Sequence, residues 1–407
     1  MKKIVILLVS TLLVLASCTP NFNDDDEVLQ NDEEQKGQPS IVPSYNLSEE
    51  NYRMILPYRT SEARGVIVNQ LANRLDIDEM EEGLRRHSKE YFDPQKYYFE
   101  EGQYLSEDTV YDWLGRDLTK EQLEDQVEAE IQRLKKAQMT VNEEKIRHEL
   151  TRGLNPPIED SGDEDELRDN PRYLSHILEQ NFLRKKDDNT VELVGISIGL
   201  ALKSVYRFQT EIGGPDYYEE IPEEEMIKQG QKIAQTVLER IRGMEGLESV
   251  PVMIALYREE AHGSSTPGNF VAKTLVSESG RTIDDWTNID EEHVLFPSNE
   301  AEKKYFDDAQ IVKSFGEDIA QFFPNYVGVI GEGFYVNEEL QRLTLEVPIE
   351  FYGKGEILGF AQYAYGLVKE MFPDYYDLEV KITSSYGVEG VIYREAGQND
   401  PTVHIFH

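Results

Sequence analysis

The chain has 407 residues, a formal net charge of −38 and one cysteine. Its length is ample for a sizeable apolar core, and a single cysteine excludes an internal disulfide framework. Because nucleic acid and anionic lipid surfaces repel a strongly acidic protein, the charge argues against both as electrostatic partners.

The N-terminal segment has the pattern of a secretory signal. Lys2 and Lys3 precede an apolar run from Ile4 to Leu15, which is too short to span a bilayer comfortably. We therefore predict that residues 1–17 are a signal peptide.

The end of this segment predicts a lipid anchor. Leu15, Ala16 and Ser17 stand directly before Cys18, which is the lipobox pattern of bacterial lipoproteins. In that class the Cys18 thiol receives a diacylglycerol and cleavage falls between Ser17 and Cys18. Since two acyl chains suffice for stable anchoring, the predicted location is the extracellular face of the cell membrane. The alternative is a chance cysteine in an ordinary signal or an uncleaved anchor.

We predict that residues 18–48 form an acidic, disordered tether. The segment is polar and nearly free of apolar periodicity, so it cannot offset the entropy cost of ordering. Its acid cluster lacks the glycine and the ligand spacing of a calcium loop, and we expect it to be a solvated run of charge.

The first predicted elements of the body are a helix and a strand. RGVIVNQLANRLDIDEMEEGLRRH, from Arg64, predicts the helix, and YYFEEGQYL, from Tyr97, predicts the strand. Thr119 and Gln122 then form a capping box before a charged helical stretch that runs to about Thr151. We interpret residues 118–153 as a helical insertion of one or two helices.

The rest of the chain resembles itself. ELVGISIGLAL, from Glu192, matches YVGVIGEGFYV, from Tyr326, and helix-period apolar stripes and alternating strands follow each segment in the same order. The stripe residues are Ile227, Gly230, Ala234, Val237 and Ile241 in the first copy and Ile357, Phe360, Ala364, Leu367 and Met371 in the second. The strand residues are Val250, Val252 and Ile254, then Leu378, Val380 and Ile382.

Two further matches support a duplication. The two tryptophans lie in similar pentapeptides, at residues 109–113 and 282–286, and each copy has a predicted entering helix, at Tyr173 to Arg184 and at Asn299 to Phe323. The predicted fold class is α+β, with two related copies of a helix–strand–strand–helix–strand unit and mostly antiparallel sheets. The predicted domains are residues 49–276, with the insertion, and residues 277–407. The alternative is two unrelated domains of similar composition.

Catalytic motifs are sparse, and we expect no enzymatic activity, no cofactor and no metal site. His148 and Glu149 lack the second histidine of a zinc-protease helix. His262, Ser264 and Ser265 lie in a Gly/Ser/Pro loop that is typical of a polar hairpin. The glycines of the two matched strands suit bulges or close backbone contacts better than a phosphate loop. A hydrolase that uses carboxylates or the His262 loop is the alternative.

Clustered tyrosines offer a second kind of site. They occur in YFDPQKYYFEEGQYL, PDYYEE and FPDYYD, where aromatic and acidic residues together could line a groove for a sugar or a peptide. Strand ends and core edges are the alternative explanation for these residues.

Several segments together resemble the CamS family. These are LASC before the tether, EEGQYLSEDTVYDWLGR from Glu100, the helix from Arg64, HGSSTPGNFVAKTLVSESG from His262, and YVGVIGEGFY from Tyr326. The CamS family comprises the sex-pheromone precursor lipoproteins of low-GC Gram-positive bacteria, and the resemblance covers nearly the whole chain.

The resemblance implies a second product. In the family, the end of the cleaved signal peptide is trimmed and secreted as a short apolar peptide that signals for plasmid conjugation. On this chain the peptide would consist of Thr11, Leu12, Leu13, Val14, Leu15, Ala16 and Ser17. The alternative is that this segment is degraded without being recognised.

The resemblance assigns no activity to the body. We expect a binding or interaction module whose two copies form a cleft, with the insertion as a lid or docking arm. The expected partners are the membrane, through the diacylglyceryl anchor, the lipoprotein-processing enzymes, and a peptide, glycan or envelope-protein ligand, but no nucleic acid. A body that only helps export and anchoring is a further alternative.

Overall fold

The computed structural model describes residues 27–29, 40–44, 47–48, 50–71, 73–186, 190–323, 325–351 and 353–406. The signal peptide, the lipobox, Cys18 and the candidate peptide at residues 11–17 lie outside these residues. The predicted α+β class is confirmed, because the described residues form helices and mixed sheets.

The strands are numbered in chain order. They are β1 Glu27–Leu29, β2 Ser40–Val42, β3 Arg53–Met54, β4 Tyr98–Glu101, β5 Leu174–Lys185, β6 Val191–Lys203, β7 Val205–Phe208, β8 Tyr217–Glu220, β9 Val252–Glu259, β10 Asn269–Val276, β11 Thr287–Asn288, β12 Glu291–Phe296, β13 Ile330–Val336, β14 Glu339–Pro348, β15 Asp377–Ser384, β16 Gly387–Arg394 and β17 Thr402–Ile405.

The helices are numbered in the same way. They are α1 Val66–Gln70, α2 Leu75–Ser88, α3 Glu107–Leu114, α4 Lys120–Lys136, α5 Glu143–Leu150, α6 Glu164–Asp169, α7 Glu223–Ile241, α8 Asn299–Lys304, α9 Phe306–Phe322 and α10 Lys354–Met371.

The first large sheet has the strand order β11-β10-β9-β6-β5-β4-β3. Its strands β9/β6 and β4/β3 pair in parallel, and the other neighbours are antiparallel. Met80 and Leu84 of α2 are buried in a core that also holds Phe182 and Tyr257 of the sheet. A second core holds the apolar stripe of α7 together with α3 and other residues of the same sheet. The first sheet is therefore covered on both faces.

The second large sheet has the strand order β12-β13-β14-β15-β16-β17. Its strands β14 and β15 are parallel and the other neighbours antiparallel. Helices α8, α9 and α10 form one core with alternate residues of the strands, such as Leu343, Leu345 and Val380. Between these lie half-buried polar residues such as Glu379 and Lys381, as expected for a sheet with one polar face.

The two sheets share a pairing pattern. The series β4, β5, β6, β9 and β10 has the same strand order and the same pairing senses as the series β12, β13, β14, β15 and β16. Helices α7 and α10 make the corresponding crossovers. In this pattern β6 corresponds to β14, whereas the sequence match had aligned it with the segment that contains β13. That the halves descend from one duplicated unit stays a prediction.

The predicted entering helix at Tyr173 to Arg184 is wrong, because this segment forms β5. Its apolar residues mimic a helical period because the strand is buried on both faces, so that Ser175, Gln180 and Asn181 are inside as well. Alternation, the usual signal of a strand, is lost when both faces are buried. The matching prediction at Asn299 to Phe323 is confirmed as α8 and α9.

The tryptophan match also fails as a structural equivalence. Trp113 is buried on α3, whereas Trp286 precedes β11 and packs against the core that contains Trp113 and the stripe of α7. Because β11 pairs with β10, the change from the first to the second sheet falls between Asn288 and Glu291, later than the predicted boundary at 276/277.

The predicted tether is ordered at two points. β1 and β2 pair antiparallel, and Ile41 forms an antiparallel bridge to Leu56 with two hydrogen bonds of 2.8 Å. Val42 is fully buried. Residues 27–29 and 40–42 thus form strands, and the tether over residues 18–48 stays a prediction.

Other local predictions are confirmed. The insertion is two helices, α4 and α5, and the Thr119 and Gln122 capping box is present. The helix predicted from Arg64 is split into α1 and α2, and β4 lies within YYFEEGQYL. Gly195 is a point of close approach, since a Cβ there would lie 2.0 Å from the Phe92 ring.

Candidate functional site

The best-formed site is a cavity at the edge of β5. Strand β4 pairs with residues 180–183 of β5 and leaves the earlier part of that edge to α1 and to residues 57–64, which we call the strap. The cavity, called here the β5 cavity, has a volume of about 60 Å³. Its lining residues are Tyr58, Ser61, Ala63, Arg64, Ile67, Glu81, Arg85, Phe99, Glu101, Leu105, His176, Ile177, Leu178, Glu179 and Gln180.

Two polar side chains of the lining are buried with atoms that lack a partner. His176 and Gln180 are each 2 % exposed, and His176 Nδ1 and Gln180 Oε1 have no hydrogen-bond partner among the described residues. Gln180 Nε2 donates to the carbonyl oxygen of Glu81 at 2.8 Å, which fixes the orientation of the amide. Burial lowers the pKa of His176 to about 3, so the ring is neutral at physiological pH. Since a buried unpaired polar atom is costly, such atoms point to a ligand or water.

Glu179 holds the loop that follows β4. Its carboxylate accepts hydrogen bonds from the backbone N–H groups of Gln103, Tyr104 and Leu105, the last at 2.7 Å. Burial raises the Glu179 pKa, against the opposing effect of these donors. Gly102 makes the approach possible, because a Cβ there would lie 2.5 Å from the Glu179 Cβ.

Glu101 fastens the strap over the mouth of the cavity. It accepts hydrogen bonds from Tyr58 Oη at 2.6 Å and from the Ser61 backbone N–H at 2.8 Å, and Arg64 lies 3.5 Å away. Burial, together with the hydrogen bond to Glu101, raises the Tyr58 pKa to about 12. A second ion pair joins Arg59 of the strap to Glu100 at 3.1 Å.

One acid and one base line the cavity without an ionic partner. Within the described part of the chain, neither Glu81 nor Arg85 forms a hydrogen bond or an ion pair through its charged group, although both are on α2 at positions i and i+4. The Arg85 guanidinium lies over the Phe99 ring, 5.3 Å from its centre. Burial raises the Glu81 pKa and the neighbouring Glu101 acts in the same direction, whereas the charges of Arg64 and Arg85 oppose this rise.

A different ionic cluster joins the two sheets, and we call it the junction. Arg86 of α2 contacts Glu79 at 2.7 Å and Glu291 of β12 at 3.0 Å, and His87 lies 3.2 Å from Glu291. The Arg86 guanidinium also lies over the Phe334 ring of β13, at 4.5 Å.

His293 of β12 completes the junction. Its Nδ1 is 2.9 Å from Glu332, and its Nε2 is 3.6 Å from Glu79, which is an electrostatic contact longer than a hydrogen bond. Burial opposes charge on this imidazole, but Glu332 and Glu79 outweigh it and raise the His293 pKa. Although burial acts in the opposite direction, His293 and Arg86 lower the Glu79 pKa to about 2.

The catalytic candidates from the sequence are dispersed. The Ser264 hydroxyl donates to the Thr266 carbonyl oxygen at 2.9 Å, and Ser264 lies in the loop between β9 and β10, away from the β5 cavity. His148 lines an open cleft between the insertion and α7, beside Trp113. No group of His, Cys, Asp and Glu that could hold a metal ion occurs among the described residues.

The tyrosine clusters do not form the predicted groove. Tyr98 and Tyr376 are buried in two different cores, whereas Tyr218 on β8 and Tyr375 before β15 are exposed. Tyr58, outside those clusters, is the tyrosine that lines the β5 cavity.

Sequence reasoning missed the residues of the β5 cavity. His176 and Gln180 lie in a segment predicted to be an entering helix, and Glu81 and Arg85 lie in the helix predicted from Arg64, to which no site was assigned. The one available signal was the run of polar residues within SHILEQNF, which is unusual in a strand with otherwise apolar neighbours.

Fold and site together define a two-sheet α+β protein with a closed polar cavity at the edge of one sheet. None of the described helices is both long enough and apolar enough to cross a membrane. The chain matches the family described as CamS sex pheromone cAM373 precursor over residues 58–400. It therefore belongs to the CamS family, and the resemblance found in the sequence is confirmed.

Two solved structures described as sex pheromone precursors are similar to this chain. The sex pheromone precursor from Lactobacillus salivarius subsp. salivarius UCC118 has a TM-score of 0.77 and 28% identity, and the match covers 90% of this chain and 99% of that one. The C-terminal domain of the sex pheromone staph-cAM373 precursor from Staphylococcus aureus has a TM-score of 0.67 and 28% identity, over 83% and 99% of the two chains. No match is found among curated protein sequences.

Proposed function

We propose that this chain is a lipid-anchored protein on the extracellular face of the cell membrane of a Gram-positive bacterium, with a body that binds a small ligand. The lipobox before Cys18 supports the anchor, and membership of the CamS family supports processing as a pheromone precursor. Because the chain is strongly acidic, the lipid and not electrostatic attraction would hold it at an anionic membrane.

The proposal includes release of a peptide. Cleavage before Cys18 would leave Thr11 to Ser17 at the end of the signal peptide, and trimming would free it as TLLVLAS. The peptide is uncharged apart from its termini and apolar, so it could leave the membrane and enter a hydrophobic receptor pocket.

The body acts by binding and not by catalysis in this proposal. The single observation that carries it is the β5 cavity, in which His176 Nδ1 and Gln180 Oε1 are buried without partners. Convergent unpaired polar atoms in such a cavity favour a small ligand with hydrogen-bond donors. The common pairing pattern of the two sheets supports the further proposal that the body arose by duplication.

Mass spectrometry of the membrane fraction and the medium tests the anchor and the peptide. We expect a lipid-modified fragment that begins at Cys18, and free TLLVLAS outside the cells. The Cys18→Ala variant should lose both products, whereas Thr19→Ala, next to the cleavage site, should retain them. An unmodified Cys18 would overturn the anchor, and a lipidated fragment without the peptide would overturn the release step alone.

Thermal unfolding tests the binding role of the body. A panel of peptides, glycans, amines and carboxylates is added to the full-length chain in detergent, and any stabilising compound is tested again on His176→Phe, which fills the cavity. We expect at least one class to raise the melting temperature of the parent protein but not that of the variant. Stabilisation that persists in the variant would place binding elsewhere, and no stabilisation at all would reject the binding role.

A further inference from the structure

The β5 cavity presents opposite charges to the same small space. Glu81 and Arg85 are one helical turn apart on α2, a spacing that brings their Cβ atoms to roughly 5–6 Å. Such a pair commonly forms an ion pair on an exposed helix, but these two form none within the described residues. The Arg85 guanidinium lies over the Phe99 ring, and its charge acts on the Glu81 carboxyl without a direct hydrogen bond or ion pair. Each charge is therefore available to a ligand.

Acceptor atoms surround the acidic side of this pair. Gln180 Nε2 donates a hydrogen bond to the backbone carbonyl oxygen of Glu81. The unpartnered Oε1 of the same amide therefore lies in the part of the lining that contains Glu81. His176 contributes a neutral ring whose Nδ1 also lacks a partner, and this atom is an acceptor when the ring proton is on Nε2. A ligand group with several N–H donors and a positive charge would satisfy Glu81, Gln180 and His176 together.

We propose that the β5 cavity binds a free α-amino acid with a small side chain, its ammonium group held by Glu81 and Gln180 Oε1 and its carboxylate by Arg85. The inference rests on the proposed binding function and names the ligand class for the same cavity. An α-amino acid carries its ammonium and carboxylate groups on the same carbon atom. It can therefore contact Glu81 and Arg85, which are one helical turn apart, at the same time. Guanidinium binds carboxylate with parallel hydrogen bonds, which suits Arg85 to this role.

The volume of the cavity limits the side chain. One water molecule needs roughly 10–15 Å³ of such space, so 60 Å³ accommodates a ligand the size of glycine or alanine. Ile67, Phe99 and Leu178 supply the apolar part of the lining, which suits a methyl group. The strap closes the mouth through Glu101 and could open to admit the ligand.

Calorimetric titration of the full-length chain in detergent tests the ligand class. The probes are glycine, L-alanine and L-phenylalanine, together with N-acetyl-alanine, which lacks the ammonium group, and alaninamide, which lacks the carboxylate. We expect binding of glycine or alanine, and at least tenfold weaker binding of both blocked alanines and of phenylalanine.

Charge variants assign the two ends of the ligand. Glu81→Gln and Arg85→Gln should each weaken alanine binding by about tenfold or more, whereas two exposed controls, Glu82→Gln on the same helix and Arg74→Gln at its N-cap, should not. Glu81→Gln should also reduce the preference for alanine over N-acetyl-alanine, and Arg85→Gln the preference for alanine over alaninamide. A structural role alone would not move these ratios.

The outcomes separate this inference from the broader function. Equal binding of alanine and its blocked forms, or loss of binding in the control variants, would overturn the assignment of the two charges. Failure of all amino acids while another class stabilises the chain and is lost in His176→Phe would overturn the amino-acid ligand and leave the binding function standing. Failure of every compound would overturn both.

Discussion

The two sheets have the same pairing pattern but bury their strands differently. Strand β9 of the first sheet reads VMIALYRE and is almost continuously buried between two helical layers, whereas β15 of the second reads DLEVKITS and buries alternate residues. The additional layer on the first sheet is α2, which carries both the charged lining of the β5 cavity and Arg86 of the junction. Three buried side chains with an unpaired polar atom, His176, Gln180 and Asn181, lie together on β5 of the doubly covered sheet, where the second layer helps to remove them from water.

The largest expected effect comes from the core of the first sheet. Trp113→Ala should lower the free energy of unfolding by about 3–5 kcal/mol, because the ring is 5 % exposed and its loss leaves a cavity. Trp286→Ala should cost less, about 1–2 kcal/mol, because that ring is half-buried at the margin of the same core. Denaturant unfolding followed by circular dichroism measures both, and equal losses would show that the two tryptophans are equivalent after all.

Removal of Arg86 should separate the behaviour of the two sheets. Arg86→Ala leaves the buried carboxylates of Glu79 and Glu291 without their cation, which costs about 3 kcal/mol. Arg342→Ala is the matched control, because Arg342 lies over the same Phe334 ring at 5.6 Å. Calorimetry should show a lower or divided transition for Arg86→Ala; an unchanged transition would mean that the junction does not couple the sheets.

The insertion is an element of the first half without a counterpart in the second. Thr119→Ala removes the N-cap of α4 and should cost about 1 kcal/mol, while Thr119→Ser should retain the cap. Hydrogen exchange should increase in α4 and stay the same in both sheets. Faster exchange in β5 or β14 would show that the insertion stabilises the sheets.

The smallest expected effect is a pH dependence at the junction. The His293 pKa is raised, so its contribution to stability is complete below its ordinary value of 6.5 and is lost as the pH rises through the raised value. The Glu79 pKa is lowered to about 2, so its contribution is complete above its ordinary value of 4.5 and is lost as the pH falls toward 2. The junction should therefore be strongest between pH 4.5 and 6.5.

Melting temperatures at pH 5.5 and 8.5 test this dependence. The difference between the two should shrink in His293→Gln and persist in His404→Gln, which removes an exposed histidine of β17. An equal change in both variants would assign the pH dependence to other groups.

Elements with a single covered face could be predicted from the sequence. The stripes of α7 and α10, the alternation of β15, and the capping box of Thr119 are local patterns, and all were identified. The turn that splits α1 from α2 has weaker local signals, and one long helix was predicted there.

The candidate site could not be predicted, because it depends on long-range pairing. Gln180 is functional in our proposal only because β5 lies beside α2, 99 residues away in sequence from Glu81. The same double coverage removed the alternation of β5 and hid the strand. Glu81 and Arg85 could not be singled out by composition, because charged residues are abundant in this chain and are typical of a solvated surface.

The bridge between Ile41 and Leu56 has a mechanical consequence. For a chain held at Cys18, tension on the tether would reach the body at β2, where the two 2.8 Å hydrogen bonds of this bridge and the buried Val42 side chain resist it. Leu56 directly precedes the strap at residues 57–64. A pull on the anchor and closure of the β5 cavity would thus act on adjacent residues, so that drag at the cell surface would compete with retention of the ligand.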